Sequence, residues 1–182
     1  DFPYLQWHKK YLTNMKTLLK IMSVLFVFTS YAQDNLTYQM PPKQIADLAD
    51  VSLAPSVLID SKGEQMILIY RDQFTSIAEL SEEELRLAGL RINPVTNIGS
   101  RTTFYNNLKV KKTSDKDASQ VKGLPKNPRL TYFSWSPDET KMAFLNATDS
   151  GVEVWLLDVI NGSASKISEA NINANMGSTI NW

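Results

Sequence analysis

Cysteine is missing from the 182 residues, and histidine occurs once, at His8. Without cysteine the chain has no thiol nucleophile, no disulfide framework and no thiolate zinc site, although many exported proteins also lack it, so the compartment stays open. An excess of either charge is missing too: 19 basic residues balance 19 acidic ones, with no long basic block. A protein whose main partner is nucleic acid carries a basic footprint, so nucleic acid is not an expected partner. What remains, 43% hydrophobic and 21% charged, is the composition of an ordinary globular chain.

The one histidine lies ahead of a segment with the order of an export signal. From Met15 there are two basic residues, Lys16 and Lys20, then the apolar run Ile21 to Phe28, then Ser30-Tyr31-Ala32. Small residues at the two positions a signal peptidase reads predict cleavage after Ala32. The apolar stretch from Leu18 to Phe28 is about half of the roughly 20 residues that span a bilayer, so no stable membrane span is expected after cleavage. The predicted organisation is an upstream or artefactual segment at 1–14, a signal peptide at 15–32 and a mature chain at 33–182, exported to the periplasm or secreted. Removing 1–32 takes away four lysines and one aspartate, leaving 15 basic and 18 acidic residues and no histidine. A Ser-His-Asp triad, a histidine base and a histidine metal site are therefore excluded from 33–182. No catalytic residue, metal site or cofactor is expected there.

Pro42 followed by Ile45, Leu48 and Ala49 predicts a short amphipathic helix. The period then changes. Ser56 to Ile59 and Gln65 to Tyr70 are short apolar runs around the turn residues Asp60 to Glu64, which predicts a β-hairpin. Ser76 to Leu90 reads as a helical insertion with a capping box at Ser81 and Glu84. Adjacent helical residues point in different directions, so Glu82, Glu83 and Glu84 read as a solvated helix start rather than a metal or acid/base site. Strand composition resumes at Thr102 to Tyr105 and Leu108 to Val110, and the mixed-charge stretch 111–120 reads as a solvated hairpin loop. Four further strands are expected at Leu130 to Trp135, Met142 to Asn146, Val152 to Asp158 and Ala164 to Ser168.

Four antiparallel strands in about forty residues is the arithmetic of one β-propeller blade. Ile59 to Ile69 also overlays Trp135 to Leu145 without a gap, matching strand end, polar turn and strand. Ile180-Asn181-Trp182 resembles the approach to Trp135, 47 positions earlier. The fold expected is mainly β: an incomplete propeller of about two blades, with a short N-terminal helix and a helical insertion. Trp135, Trp155 and Trp182, spaced like blade repeats, are expected in the core rather than on a stacking platform.

The series Met40-Pro41-Pro42-Lys43-Gln44-Ile45, Glu84-Leu85-Arg86-Leu87-Ala88-Gly89-Leu90-Arg91-Ile92-Asn93-Pro94, Ser100-Arg101 and Gly123-Leu124-Pro125 resembles the N-terminal region of exported prolyl oligopeptidase family serine peptidases. Within that family it is similar to the bacterial branch that resembles chloroplast glutamyl endopeptidases. Trp135-Ser136-Pro137-Asp138 and the residues after it resemble a blade signature, with Asp138-Glu139 departing from the usual Asp-Gly of the turn. The resemblance implies a propeller that restricts access to, and helps bind peptide substrates for, a downstream α/β-hydrolase domain of the same chain. That domain would hold the nucleophilic serine on a strand-to-helix elbow, and no Gly-x-Ser-x-Gly occurs here. It further implies that an acidic substrate side chain needs a cation, for which Arg91 and Arg101 are the candidates, with a purely structural tie as the other reading of both. A non-enzymatic exported propeller of the TolB type, acting as a protein-binding scaffold, is the alternative.

Overall fold

The computed structural model describes residues 15, 17–20, 22 and 39–182. Residues 15, 17–20 and 22 are helical, while residues 1–14, most of the apolar run and the expected cleavage site at Ala32 lie outside the described residues. The chain divides into two units, residues 1–46 and 47–182. Helix α1, Lys43–Ala49, forms where the proline signal predicted it, its first turn closed by bonds from the amides of Ile45 and Ala46 to the Pro42 carbonyl. None of its residues is buried.

Residues 47–182 are mainly β, in three antiparallel sheets. Strands β1 (Ser56–Ile59) and β2 (Gln65–Tyr70) form the predicted hairpin. The chain then leaves the sheet through a single-turn helix α2 (Ile77–Leu80) and a small hairpin, β3 (Leu85–Leu87) and β4 (Leu90–Ile92). It returns as β5 (Asn107–Lys112) and β6 (Ser119–Gln120), completing a four-stranded sheet in the order β1-β2-β5-β6. The second sheet consists of β7 (Leu130–Trp135), β8 (Lys141–Ala147), β9 (Val152–Asp158) and β10 (Ser163–Lys166), each paired with its neighbour in sequence. Among the described residues these sheets form an open stack.

Two expectations are corrected. The stretch 81–90 is not helical: Ser81 ends α2, its amide bonding back to the Ile77 and Ala78 carbonyls, and the residues after it form β3 and β4. The N-terminal cap sits five residues earlier, where Ser76 Oγ accepts from the Glu79 amide at 3.1 Å. Ala88 and Gly89, at φ 46° and 97°, close the β3–β4 hairpin with the two left-handed residues a tight primed turn needs. Thr102 to Tyr105 is not a strand either; Tyr105 makes only an isolated bridge to Leu130.

The internal repeat holds at the level of hydrogen bonds. Ile59 pairs with Met66, and Trp135, 76 positions on from Ile59, pairs with Met142, 76 positions on from Met66. In both turns the first residue donates its amide across to the next strand, Asp60 to the Gln65 carbonyl and Ser136 to the Lys141 carbonyl. The side chain of that residue accepts the returning amide, Gln65 to Asp60 Oδ1 and Lys141 to Ser136 Oγ. Gly63 and Glu139 occupy the same left-handed position, at φ 71° and 56°. Glutamate gives up glycine's conformational freedom there, but its carboxylate reaches the first turn, accepting from the Ser61 amide at 2.9 Å and the Ser61 hydroxyl at 2.7 Å.

The main core lies between the two sheets. Ile67, Ile69, Leu108 and Val110 face Met142, Phe144 and Leu157, and all are buried. A bulge at Tyr132 (φ 52°) shifts the register of β7 and brings Phe133 against the core, where Tyr105, Phe133, Phe144 and Trp155 form a run of ring contacts 5.6–6.4 Å apart. The far side of the second sheet is covered as well, Leu145 and Val152 lying beneath Ile98, Ile172 and Ala174. Trp135 and Trp155 pack against the main core as expected, whereas Trp182 is 51% exposed and donates its Nε1–H to Ser134 Oγ.

Candidate functional site

The segment between β2 and β5 is where this sheet departs from a plain hairpin meander, and it builds a cleft of about 890 Å³. Residues 71–86 form one wall, residues 100–106 another, and Arg129 the floor at the mouth of β7.

Glu84 organises the cleft. Its Oε1 accepts from Arg91 Nη1 at 2.7 Å and Arg86 Nε at 2.9 Å, and its Oε2 accepts from the Ser100 hydroxyl at 2.6 Å, with Arg101 Nε at 3.8 Å. Arg86 and Arg91 stand directly opposite each other in the β3–β4 hairpin, a like-charge pair that is unfavourable unless an anion sits between them. Glu84 is that anion. Hydrogen bonds from Ser100 and then Arg86, with Arg91 adding a bond and its charge, hold its pKa at about 2, against the opposing effect of burial. A carboxylate whose pKa is lowered on folding stabilises the fold above its unfolded pKa and ceases to do so as pH falls through the folded value. Glu84 accordingly supports the hairpin in full above about pH 4.5, and that support is lost on the way down to about pH 2. In E84Q, melting curves between pH 2 and 6 should lack this component, and an undiminished acid dependence in that variant would show that other carboxylates carry it.

Two neighbouring glutamates act through Arg129. Its guanidinium lies 3.0 Å from Glu82 Oε1 and 3.7 Å from Glu79 Oε1, and its centre sits 4.4 Å from the Phe104 ring centroid. Asn93 joins this network, donating to Glu82 Oε2 while its own Oδ1 accepts from the amides of Val95 and Thr96. The Asn93-Pro94 stretch is thus a side-chain-capped turn, and the insertion is fastened to the second sheet by charge and by an aromatic face.

The two arginines singled out from sequence end up in different surroundings. Arg91 is engaged by Glu84 and does not line the cleft. Arg101 lines it, with its side chain 70% exposed and only a long contact to Glu84. Sequence reasoning missed Arg129, Glu79 and Arg71. Arg71 follows β2 directly, lines the same cleft, and has no ion-pair partner among the described residues. Its signal was a cation immediately after a strand, before the Asp72-Gln73-Phe74 loop.

Chemically the cleft offers cations, the carboxylates Glu79, Glu82 and Glu84 held by those cations, Asp72 and Asp149 with no ion pair among the described residues, and the aromatic rings of Phe74, Phe104 and Tyr105. Ser100 donates its hydroxyl proton to Glu84, whose lowered pKa, about 2, makes it a weak base for activating a nucleophile. No group of three or more metal-ligating side chains occurs among the described residues. A lining of this chemistry can pair with a charged group or stack with an aromatic one.

The chain is similar to two plant proteins. It is 27% identical over 137 residues to a probable chloroplastic glutamyl endopeptidase of rice, Oryza sativa subsp. japonica. It is 27% identical over 136 residues to the protein of the same description in Arabidopsis thaliana. Each match takes in 70% of the chain but only 15% and 14% of the plant proteins, so the chain spans about a seventh of the length of these curated relatives. No family model matches it. The likeness points to a distant, peptidase-related origin.

Proposed function

We propose that the chain is the N-terminal propeller region of an exported serine peptidase of the prolyl oligopeptidase family. The observation that carries this reading is the match to glutamyl endopeptidases over 70% of the chain. The register-true repeat of two stacked four-stranded sheets supports it as two successive blades. The Ser-Asp-His machinery lies in a downstream α/β-hydrolase domain of the same polypeptide. The propeller gates entry to that domain and helps to bind peptide substrates. Export follows from the signal order at 15–32.

The two arginines divide the work, one beside the cleft and one in it. Arg91 holds the β3–β4 hairpin through Glu84, and Arg101 reaches toward an acidic substrate side chain, being exposed and weakly held. The test is hydrolysis of matched peptides with glutamate or alanine before the cleaved bond, by the polypeptide that continues past Trp182. R101A should lower kcat/KM on the glutamyl peptide about tenfold, corresponding to about 1.4 kcal/mol, and leave the alanyl peptide nearly unchanged. Equal losses on both would remove Arg101 from substrate binding. If the longer polypeptide cleaves neither peptide and takes up no fluorophosphonate label, the peptidase reading itself falls.

A further inference from the structure

The turn between β9 and β10, residues 159–162, ends in Asn161-Gly162, the one place in the sequence where glycine follows asparagine. That order matters chemically. The backbone nitrogen of the residue after an asparagine can close a five-membered ring onto the side-chain amide carbon, and glycine alone brings no Cβ into the way of that attack. Asn146 and Asn173 precede alanine, and Asn97 and Asn171 precede isoleucine.

The structure leaves both reacting groups open. Asn161 is exposed, and Gly162, at φ 61°, has no hydrogen-bond acceptor for its amide among the described residues. Asn146, in contrast, is 3% exposed, its Oδ1 accepting from the Arg129 amide and its Nδ2 donating to Glu153. Asn161 bonds to a carboxylate of its own turn: its main-chain amide donates to Asp158 Oδ1 at 2.9 Å and its Nδ2 to Asp158 Oδ2 at 2.8 Å. The first of these bonds and then the second hold the Asp158 carboxyl below its usual range.

We propose that Asn161 is a self-modification site, at which the chain converts its own asparagine to aspartate or isoaspartate and so loosens the seam between the two sheets. The Gly162 nitrogen gives its proton to solvent and attacks Asn161 Cγ. The N–Cγ bond forms, the Cγ–Nδ2 bond breaks, and Nδ2 leaves as ammonia with a proton returned by solvent. Water then opens the cyclic imide. Entry at the side-chain carbonyl gives aspartate, and entry at the main-chain carbonyl gives isoaspartate, so that overall water is consumed and ammonia released. Nothing in this step depends on the peptidase or the propeller reading.

Either product disturbs what the turn holds. Aspartate puts a second negative charge where the Nδ2 donor faced Asp158, turning a 2.8 Å attraction into a repulsion. Isoaspartate adds a methylene to the main chain just before Gly162, where room is short: a Cβ there would lie 3.2 Å from Val110 Cγ2 in the core. Gly162 carries the seam. Its carbonyl accepts from the Lys122 amide at 2.9 Å, and the Lys122 carbonyl accepts from the Ala164 amide at 2.8 Å, tying the end of the first sheet to the edge strand of the second. Gly123 crowds the same place, its Cβ position 2.5 Å from the Ala164 carbonyl oxygen, so the seam has little freedom to shift as a body.

The test uses the unaltered chain, held in mildly alkaline buffer and sampled over time. Digestion with pepsin in acid, where the attacking nitrogen keeps its proton, is followed by mass spectrometry of each asparagine peptide, with isoaspartate identified by its fragmentation. Asn161 should convert about tenfold faster than Asn173, which is exposed but followed by alanine. N161Q, whose longer side chain would need a larger ring, should lose the fast conversion. In the converted chain, and in N161D, the Lys122 and Ala164 amides should exchange hydrogen about tenfold faster while the β8 amides keep their rates. An Asn161 rate no greater than that of Asn173 overturns the site. So does conversion that begins only after the β8 amides have lost protection, since the folded turn would then be closed to attack. Unchanged exchange at Lys122 and Ala164 in both modified forms overturns the loosening of the seam.

Discussion

F144A should lower the stability of the β unit by about 3–5 kcal/mol, a large part of the 5–15 kcal/mol typical of a whole domain. Phe144 is fully buried, and its ring lies 5.9 Å from Phe133 and 6.4 Å from Trp155 by centroid, with the first sheet across from it. Truncation removes the apolar transfer energy and leaves a gap between the two hydrogen-bonded sheets that they can collapse only partly to fill. F144L, which keeps most of the volume, should cost less than half as much. I59A, at a side chain 53% exposed, should change stability by no more than about 0.5 kcal/mol. Urea unfolding followed by tryptophan fluorescence reads all three. If F144A and I59A had similar effects, the core would not lie between the sheets.

G151A should cost about 2–3 kcal/mol for a different reason, an insertion rather than a removal. A Cβ built on Gly151 falls 2.0 Å from the Ala170 carbonyl oxygen and 2.9 Å from its carbon. Those are backbone atoms, so residues 170–174 must move as a body. With them goes the bond from the Ile172 amide to the Val152 carbonyl, and the cover over Leu145 and Val152 is lifted. Hydrogen exchange should show the Ile172 amide losing protection in G151A while the β2 and β5 amides keep theirs. G177A separates space from backbone freedom: Gly177 is left-handed at φ 72° with nothing within 4 Å of its Cβ position, so strain alone, about 1 kcal/mol, is expected there. Equal protection of Ile172 in G151A and the parent would mean that residues 170–174 tolerate the methyl group.

The second sheet was legible strand for strand because its signals are local. Ser136 to Glu139, Thr148 to Gly151 and Asn161-Gly162 are turn residues, and the runs between them are short and rich in apolar, β-branched or aromatic residues. The insertion was not, since its strongest local cue was false. Ser81 to Glu84 has the form of a capping box and precedes residues with good helix propensity, yet Glu84 makes its bonds to Arg91 and Ser100, partners 7 and 16 positions away. Ala88-Gly89, between the period-two run Leu85-Arg86-Leu87 and its mirror Leu90-Arg91-Ile92, was the cue that should have outweighed it. For the cleft, the sequence singled out Arg101 but not Arg71 or Arg129, because nothing local shows which cations a fold will pair.

The bonds from Ser61 to Glu139 join turns 78 positions apart, and neither hairpin needs them to form. Contacts of such long separation are made after each hairpin has closed and the sheets have met, since the loop between them must be ordered first. A clasp formed that late lies on the native side of the folding barrier. It slows the parting of the sheets and leaves the rate at which they assemble largely untouched. Glutamate at the left-handed position therefore exchanges some equilibrium stability of the turn for persistence: once stacked, the two sheets stay together longer than their shared apolar surface alone would keep them.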